Sequence, residues 1–430
     1  MHHYIHYILE YLLNQKTDCE NIISAIGYCN DPALFHQYKL IIVPSGFFEG
    51  KNYGTTHSLP ELPLQEIENI PLLFGVPEVT ISENQIIVKA DIIASSFFLI
   101  SRYEEYVNRE SRDFHGRFCA HDSLAYRAHF LERPVVDEYG KLLRHWLRLL
   151  GFDLKEPEEK IENINFTIDI DIPYYFRSIK GLAKSLLSIT KPFNAIQTFF
   201  LDRTKDPAFT FDWLHKKNAS LPKNKIKEIY FFKSKGQARQ DKPYYSLFSE
   251  DIKFLFDFCK SNNIEIGLHS SYGAGEEPQL IFQEKEQLEY AAGTTITSNR
   301  HHFLSCREPE DFSVLEKIGI TDDFTMGFAD AVGFRLGCCR PVLWINPADQ
   351  KVSKLKLHPL MIMDCTLDRP DYMNLSFEEA AEKSLTLLHQ TKLHHGELTL
   401  LWHNHYLDHS EGGWQRELYR FIIQSLLVNV

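Results

Sequence analysis

From about residue 164 onward the chain repeats one pattern: a short apolar run, closed by an ionisable side chain, then a stretch with helical spacing. NFTIDID (165–171) closes on Asp169 and Asp171, and IEIGLH (264–269) on His269. LMIMD (360–364) closes on Asp364, and ELTLLWH (397–403) on His403. KEIYFF (227–232) is a further strand, followed by a lysine- and glutamine-rich loop. Between the strands, DIKFLFDFCKSNN (251–263) has amphipathic helical spacing and EKEQLEYAAG (284–293) is a helix stopped by Gly293. PEDFSVLEKIG (309–319) opens on a helix-start proline and closes on Gly319, and Ser376 with Glu379 forms a capping box for a helix running to about His395. Alternating strands and helices imply a parallel sheet. In a parallel barrel or doubly wound sheet the strand C-terminal ends converge on one face, where sites form. One such residue is an ordinary strand end; five at one mouth predict a site.

The region before residue 160 reads differently. KLIIVPSG (39–46) has a β-branched run closed by Pro44 and Gly46, the mark of a buried strand, and Asp91–Val107 spaces its apolar residues like one helix. LLRHWLRLLG (142–151) is a further apolar segment. The acidic, apolar-poor KEPEEKIEN (155–163) precedes the first strand of the repeating pattern. The expected division is a smaller α/β domain at 1–160 and a larger α/β unit at 161–430.

Composition narrows the partners. The 46 Lys and Arg against 58 Asp and Glu leave a net charge of −12, which argues against a nucleic-acid or anionic-membrane surface. No apolar run reaches the roughly 20 residues that span a bilayer. The opening MHHYIHYILEYLL carries His6 and Glu10 in its apolar stretch and lacks a basic n-region. Eight cysteines, with Cys338 and Cys339 adjacent, form no disulfide framework; the pair reads as buried apolar side chains. A cytoplasmic enzyme is the expectation.

Two histidines with one or two carboxylates are the usual ligand set of a catalytic divalent metal with an open position. Such a metal acidifies water and polarises a carbonyl, a second carboxylate takes the proton, and a free histidine protonates the leaving group. The residues alone therefore point to a metal-assisted hydrolase. A metal-free glycoside hydrolase built on paired carboxylates is the alternative, since aspartates two apart on a strand share a face.

The segments FTIDID, IGLHSSYG, NRHHFL, GFADAVGFRLGCCRP and LLWHN resemble the polysaccharide deacetylase family, the NodB-homology group also known as carbohydrate esterase family four. DIIASSFFLISRYEEYV and ERPVVDEY are similar to the extra N-terminal α/β domain of Bacteroidetes members. The resemblance implies a distorted (β/α) barrel that removes N- or O-acetyl groups from a glycan. It also implies an Asp-His-His metal, usually zinc. By motif position Asp169 is the implied base and Asp171 the metal ligand, with the two able to trade roles. His269 opens the His-Ser-x-x-His motif, and Gly273 stands where its second histidine belongs. Arg335, with Arg340 as rival, is the implied arginine that orients the base. Asp364 orients His403, the implied general acid. Alternation sends His301 and His302 to opposite sides, and the resemblance puts the third ligand at His302. The missing second histidine keeps open a non-catalytic carbohydrate-binding or assembly protein on the same fold.

Overall fold

The computed structural model describes residues 2–15, 19–177, 181, 183, 192–408 and 413–429. The N-terminal sheet has order β1-β2-β6-β5, from β1 (Ile26–Tyr28), β2 (Leu40–Ile42), β5 (Gly75–Ile81) and β6 (Ile86–Ala90). A separate hairpin joins β3 (Gln65–Ile67) to β4 (Ile70–Leu72). The expected single helix at 91–107 is two, Ile92–Ile100 and Tyr103–Val107. The break is at Arg102, whose φ is 60°. Its guanidinium is drawn into a buried pair with Glu105 and donates to the Cys306 carbonyl at 2.9 Å. A tertiary contact thus overrides helical spacing.

The remaining strands form one nine-stranded sheet of order β12-β13-β11-β10-β9-β8-β7-β15-β14. They are β7 (Asn163–Ile170), β8 (Ile226–Lys233), β9 (Glu265–Ser270), β10 (Ser298–His301) and β11 (Asp322–Asp323). The others are β12 (Val342–Ile345), β13 (Val352–Leu357), β14 (Leu360–Met363) and β15 (Glu397–His403). Every pairing is parallel except β12 with β13. Helices connect most of these strands and cover the sheet, which explains why β7 and β15 are buried almost throughout.

The sheet is curled. β8 and β11 lie three strands apart, roughly 14 Å in a flat sheet, yet the Phe231 and Phe324 rings are 5.7 Å apart. The chain itself bridges the two edges: β13 pairs with β11, and after His358 and Pro359 the same extended segment continues as β14 and pairs with β15. His358 pins this seam near the strand N-terminal ends. Its Nδ1 lies 2.5 Å from Glu397 Oε1 at the start of β15, and its Nε2 lies 2.9 Å from Asp322 Oδ1 at the start of β11. The result is a barrel-like half-closed sheet.

One apolar cluster runs through both sheets, from Ile8 and Phe97 to Trp146, Leu355 and Leu400. Buried ion pairs cross the same boundary: Arg335 binds Glu105 at 2.8–3.0 Å, and Arg340 binds Asp137 at 2.6 Å. No disulfide joins the eight cysteines, and Cys338 and Cys339 are buried in this core.

Candidate metal and catalytic site

Parallel register sets the site. Asp169 on β7 is paired with His403 on β15, and His269 on β9 with Arg300 on β10. Side chains two apart on a strand share a face, so Asp171 follows Asp169 toward the mouth and His302 follows Arg300. His302 is delivered by a turn in which Phe303 and Leu304 both hold φ near +60°, an uncommon conformation for bulky residues and one that clusters at functional sites. That turn passes so close to residues 272–275 that a Cβ on Gly275 would lie 2.2 Å from the Ser305 carbonyl oxygen. Gly273 lies in a short helical turn, Tyr272–Gly275, and the second imidazole of the cluster comes from His302.

Asp171, His269 and His302 offer ligand atoms that all lie within 4.8 Å of one another. Asp171 Oδ1 is 3.5 Å from His269 Nε2 and 3.4 Å from His302 Nε2. Each histidine is oriented from behind: His269 Nδ1 donates to the Arg300 carbonyl and His302 Nδ1 to Asp241 Oδ1, both at 2.9 Å. A histidine held through Nδ1 presents the Nε2 lone pair, the arrangement that accompanies metal ligation. Asp171 Oδ1 and His269 Nε2 are buried without a hydrogen-bond partner. A buried polar atom without a partner is costly, and a divalent cation between these atoms removes that cost. The donor set therefore fits a zinc-like ion. His301 points away, toward Asn299 and Thr325.

Burial pushes the His269 imidazole down to about 4. Burial would also lower His302, but Asp171 and Asp241 outweigh it and raise that group. Asp171 is held well below the usual carboxylate range: burial opposes ionisation, and His302, Lys233 and His269 overcome it.

Around this cluster stand the other candidates. Arg300, fully buried, donates from Nη1 to Asp169 Oδ1 at 3.0 Å and to Thr167 Oγ1 at 2.7 Å. The arginine that contacts Asp169 is thus Arg300; Arg335 is engaged with Glu105 and the Gly327 carbonyl, and Arg340 with Asp137 and the Tyr11 carbonyl. Asp364 receives the His403 backbone N–H at 2.6 Å and Nδ1–H at 2.8 Å, leaving Nε2 facing Asp171 Oδ2 at 3.6 Å. Burial would lower His403, but Asp364 and then Asp171 hold it up to about 9. Spacing did not expose two contributors. Asp241 lies in the loop after β8, and Lys233 ends β8 with its Nζ 3.7 Å from Asp171 Oδ1. Lys233 is paired in register with His269, so strand-end logic applied to KEIYFFK could have found it.

A cavity of about 150 Å³ opens over Asp169, Asp171, His302 and His403. That volume suits a small group and a few waters. The imidazole of His269 stands between the two aspartates, 3.4 Å from Asp169 and 3.5 Å from Asp171. A glycoside hydrolase needs its sugar between the two carboxyl groups, so this pair does not suit that chemistry.

The profile of a family of unknown function, DUF7033, matches residues 1–151. No curated protein matches the chain. Among solved structures, the chain is similar to a candidate polysaccharide deacetylase from Mycobacterium smegmatis. The two are 15% identical with a TM-score of 0.41, over 64% of this chain and 86% of the other. At that level the functional reading rests on this chain's own side chains. Among the described residues no helix is long and apolar enough to cross a membrane.

Proposed function

We propose that the chain is a metal-dependent hydrolase that removes an acyl group, acetyl on nitrogen or oxygen, from a sugar or polysaccharide. The supporting observation is the pair of unpartnered buried atoms, Asp171 Oδ1 and His269 Nε2, beside a His302 whose Nδ1 is already bound to a carboxylate. Asp171, His269 and His302 would hold zinc or another divalent ion, which when bound supplies Lewis-acid polarisation of an acyl carbonyl and acidifies a water. Asp169 accepts the proton of the attacking water, with Arg300 fixing which oxygen is free. His403 carries a proton on Nε2 for the departing amine or hydroxyl, and Asp364 fixes the tautomer that makes this possible. The pocket admits the acyl group and keeps the sugar at the mouth.

The test is acetate release from acetylated amino sugars and acetylated oligosaccharides by the purified full-length protein. Release that stops with a chelator and returns with zinc is expected. No release from any acetylated sugar by fully metal-loaded protein overturns the reading.

One observation favours a second reading, a non-catalytic carbohydrate-binding protein. The Lys233 ammonium, held by the Asp241 and Pro243 carbonyls at 3.1 and 3.4 Å, already lies beside Asp171 and could stand as its permanent counter-ion. On that reading the protein binds sugar without metal.

A further inference from the structure

We propose that the segment before the large sheet completes the sugar pocket. In it, Arg117 joins Arg369 to form a subsite for an anionic oxygen group, carboxylate or phosphate, on the sugar next to its acyl substituent. The proposal rests on the pocket being an acyl-sugar site and says which acyl sugars it prefers.

Residues 113–117 reach across to the barrel mouth. The His115 ring packs 4.8 Å from Phe303, and its carbonyl accepts Ser305 Oγ at 3.1 Å. This places Arg117 in the pocket wall, where Nη1 donates to the Phe303 carbonyl and Nη2 to Tyr372 Oη, each at 3.2 Å. One guanidinium thus ties the turn that carries His302 to the segment after β14.

Charge is arranged asymmetrically. Arg117 and Arg369 line the cavity, whereas their partners Asp113 and Asp371 do not. Each ion pair therefore turns its positive end inward. The two guanidinium carbons lie 5.8 and 5.2 Å from the Tyr372 ring centre, so they sit on a shared aromatic platform. Arg369 uses Nε and Nη2 on Asp371, which leaves Nη1 for a ligand. Arg117 likewise keeps one N–H on Nη1 beyond its bonds to Asp113, Phe303 and Tyr372. The acidic groups that line the cavity belong to the inner cluster: Asp169 accepts from Arg300, and Asp171 faces the two imidazoles. A sugar ring resting at the mouth meets uncommitted N–H groups from two guanidiniums, which are charge-assisted donors to a carboxylate or phosphate oxygen.

Three probes test this on the metal-loaded full-length protein by calorimetry: N-acetylglucosamine, N-acetylmuramic acid and N-acetylglucosamine 6-phosphate. At least one anionic sugar should bind about tenfold tighter than the neutral one, as expected for a charge-assisted hydrogen bond. The better of the two anionic probes identifies the group. Arg369→Gln and Arg117→Gln should each bring the anionic-to-neutral ratio of Kd toward one. Arg369 is the safer variant because its side chain is 44% exposed and ties no core elements together. Equal binding of all three sugars, or an unchanged ratio in Arg369→Gln, overturns the subsite. Acetate release separates the two claims. Discrimination in binding without hydrolysis ends the deacylation reading alone. Hydrolysis with no discrimination ends the subsite alone.

Discussion

Two histidine–carboxylate clusters sit at opposite ends of the same curled sheet, and they differ in how their hydrogen bonds close. At the strand N-terminal ends, His358 satisfies both ring nitrogens, with Glu397 at 2.5 Å and Asp322 at 2.9 Å. At the C-terminal ends, His269 and His302 are satisfied only through Nδ1, and their Nε2 atoms face one carboxylate oxygen that has no hydrogen-bond partner. Both places bring imidazole and carboxylate together, one histidine with two carboxylates below and two histidines with one carboxylate above. What separates a staple from a site is whether the hydrogen-bond inventory closes. The His358 group closes it across the seam between β11 and β15, beside a backbone bond from His358 N–H to the Asp323 carbonyl at 2.8 Å. The upper group leaves it open at Asp171 Oδ1 and His269 Nε2.

The sharpest break between the two ends is functional. His403→Ala should lower acyl hydrolysis by about 10²- to 10⁴-fold, the usual loss for a general acid, while zinc content stays at the wild-type level. Loss of the metal in that variant would move His403 into the coordination shell. The lower cluster should respond in the opposite sense. His358→Ala leaves Glu397 buried and partnerless on that side, and breaking a buried pair costs about 3–5 kcal/mol. The partial exposure of Asp322, at 23%, points to the lower end of that range. Chemical denaturation should report the loss with zinc affinity unchanged. A stable His358→Ala protein would mean that the seam is held by backbone alone.

Asp241→Asn probes the support behind the open cluster. It keeps the shape and removes the charge that receives the His302 Nδ1 proton, so zinc affinity should fall by about 10- to 100-fold. An unchanged affinity would show that His302 does not depend on Asp241 for its orientation. The smallest effect is on pH. His358 is raised in the folded state by Glu397 and Asp322 against the lowering effect of burial. Its contribution is therefore complete below the unfolded value of about 6.5 and fades as pH rises through the raised value. Asp322 is lowered to about 2, chiefly by His358 and Thr321 against the opposing effect of burial. Its contribution holds above an unfolded value of about 3.9 and fades as pH falls through 2. The Tm of the wild type should fall on the alkaline side more steeply than that of His358→Gln. Parallel Tm curves would separate His358 from the alkaline loss.

The positions of Asp169, Asp171, His269, Asp364 and His403 were legible because each ends an apolar run, and parallel strands carry such ends to one mouth. His302 was legible from alternation together with family resemblance. Arg300 is legible by the same alternation, two residues before His302, whereas Arg335 in GFRLGCCRP pairs with Glu105. That pair serves the contact between the two sheets. Asp241 and Arg117 had no local signature. Both lie in polar loops whose meaning comes from tertiary neighbours far away in the chain, Tyr272 and His302 for the first, Phe303 and Tyr372 for the second. The break at Arg102 was hidden for the same reason.

The central claim is that Asp171, His269 and His302 form a divalent-metal site while His301, one residue away, does not. Zinc bound per chain, measured for the wild type, His302→Ala and His301→Ala after reconstitution, tests it directly. The account predicts one tightly held zinc in the wild type and in His301→Ala, and none in His302→Ala. Equal zinc retention in the two variants, or no zinc in the wild type, would contradict it.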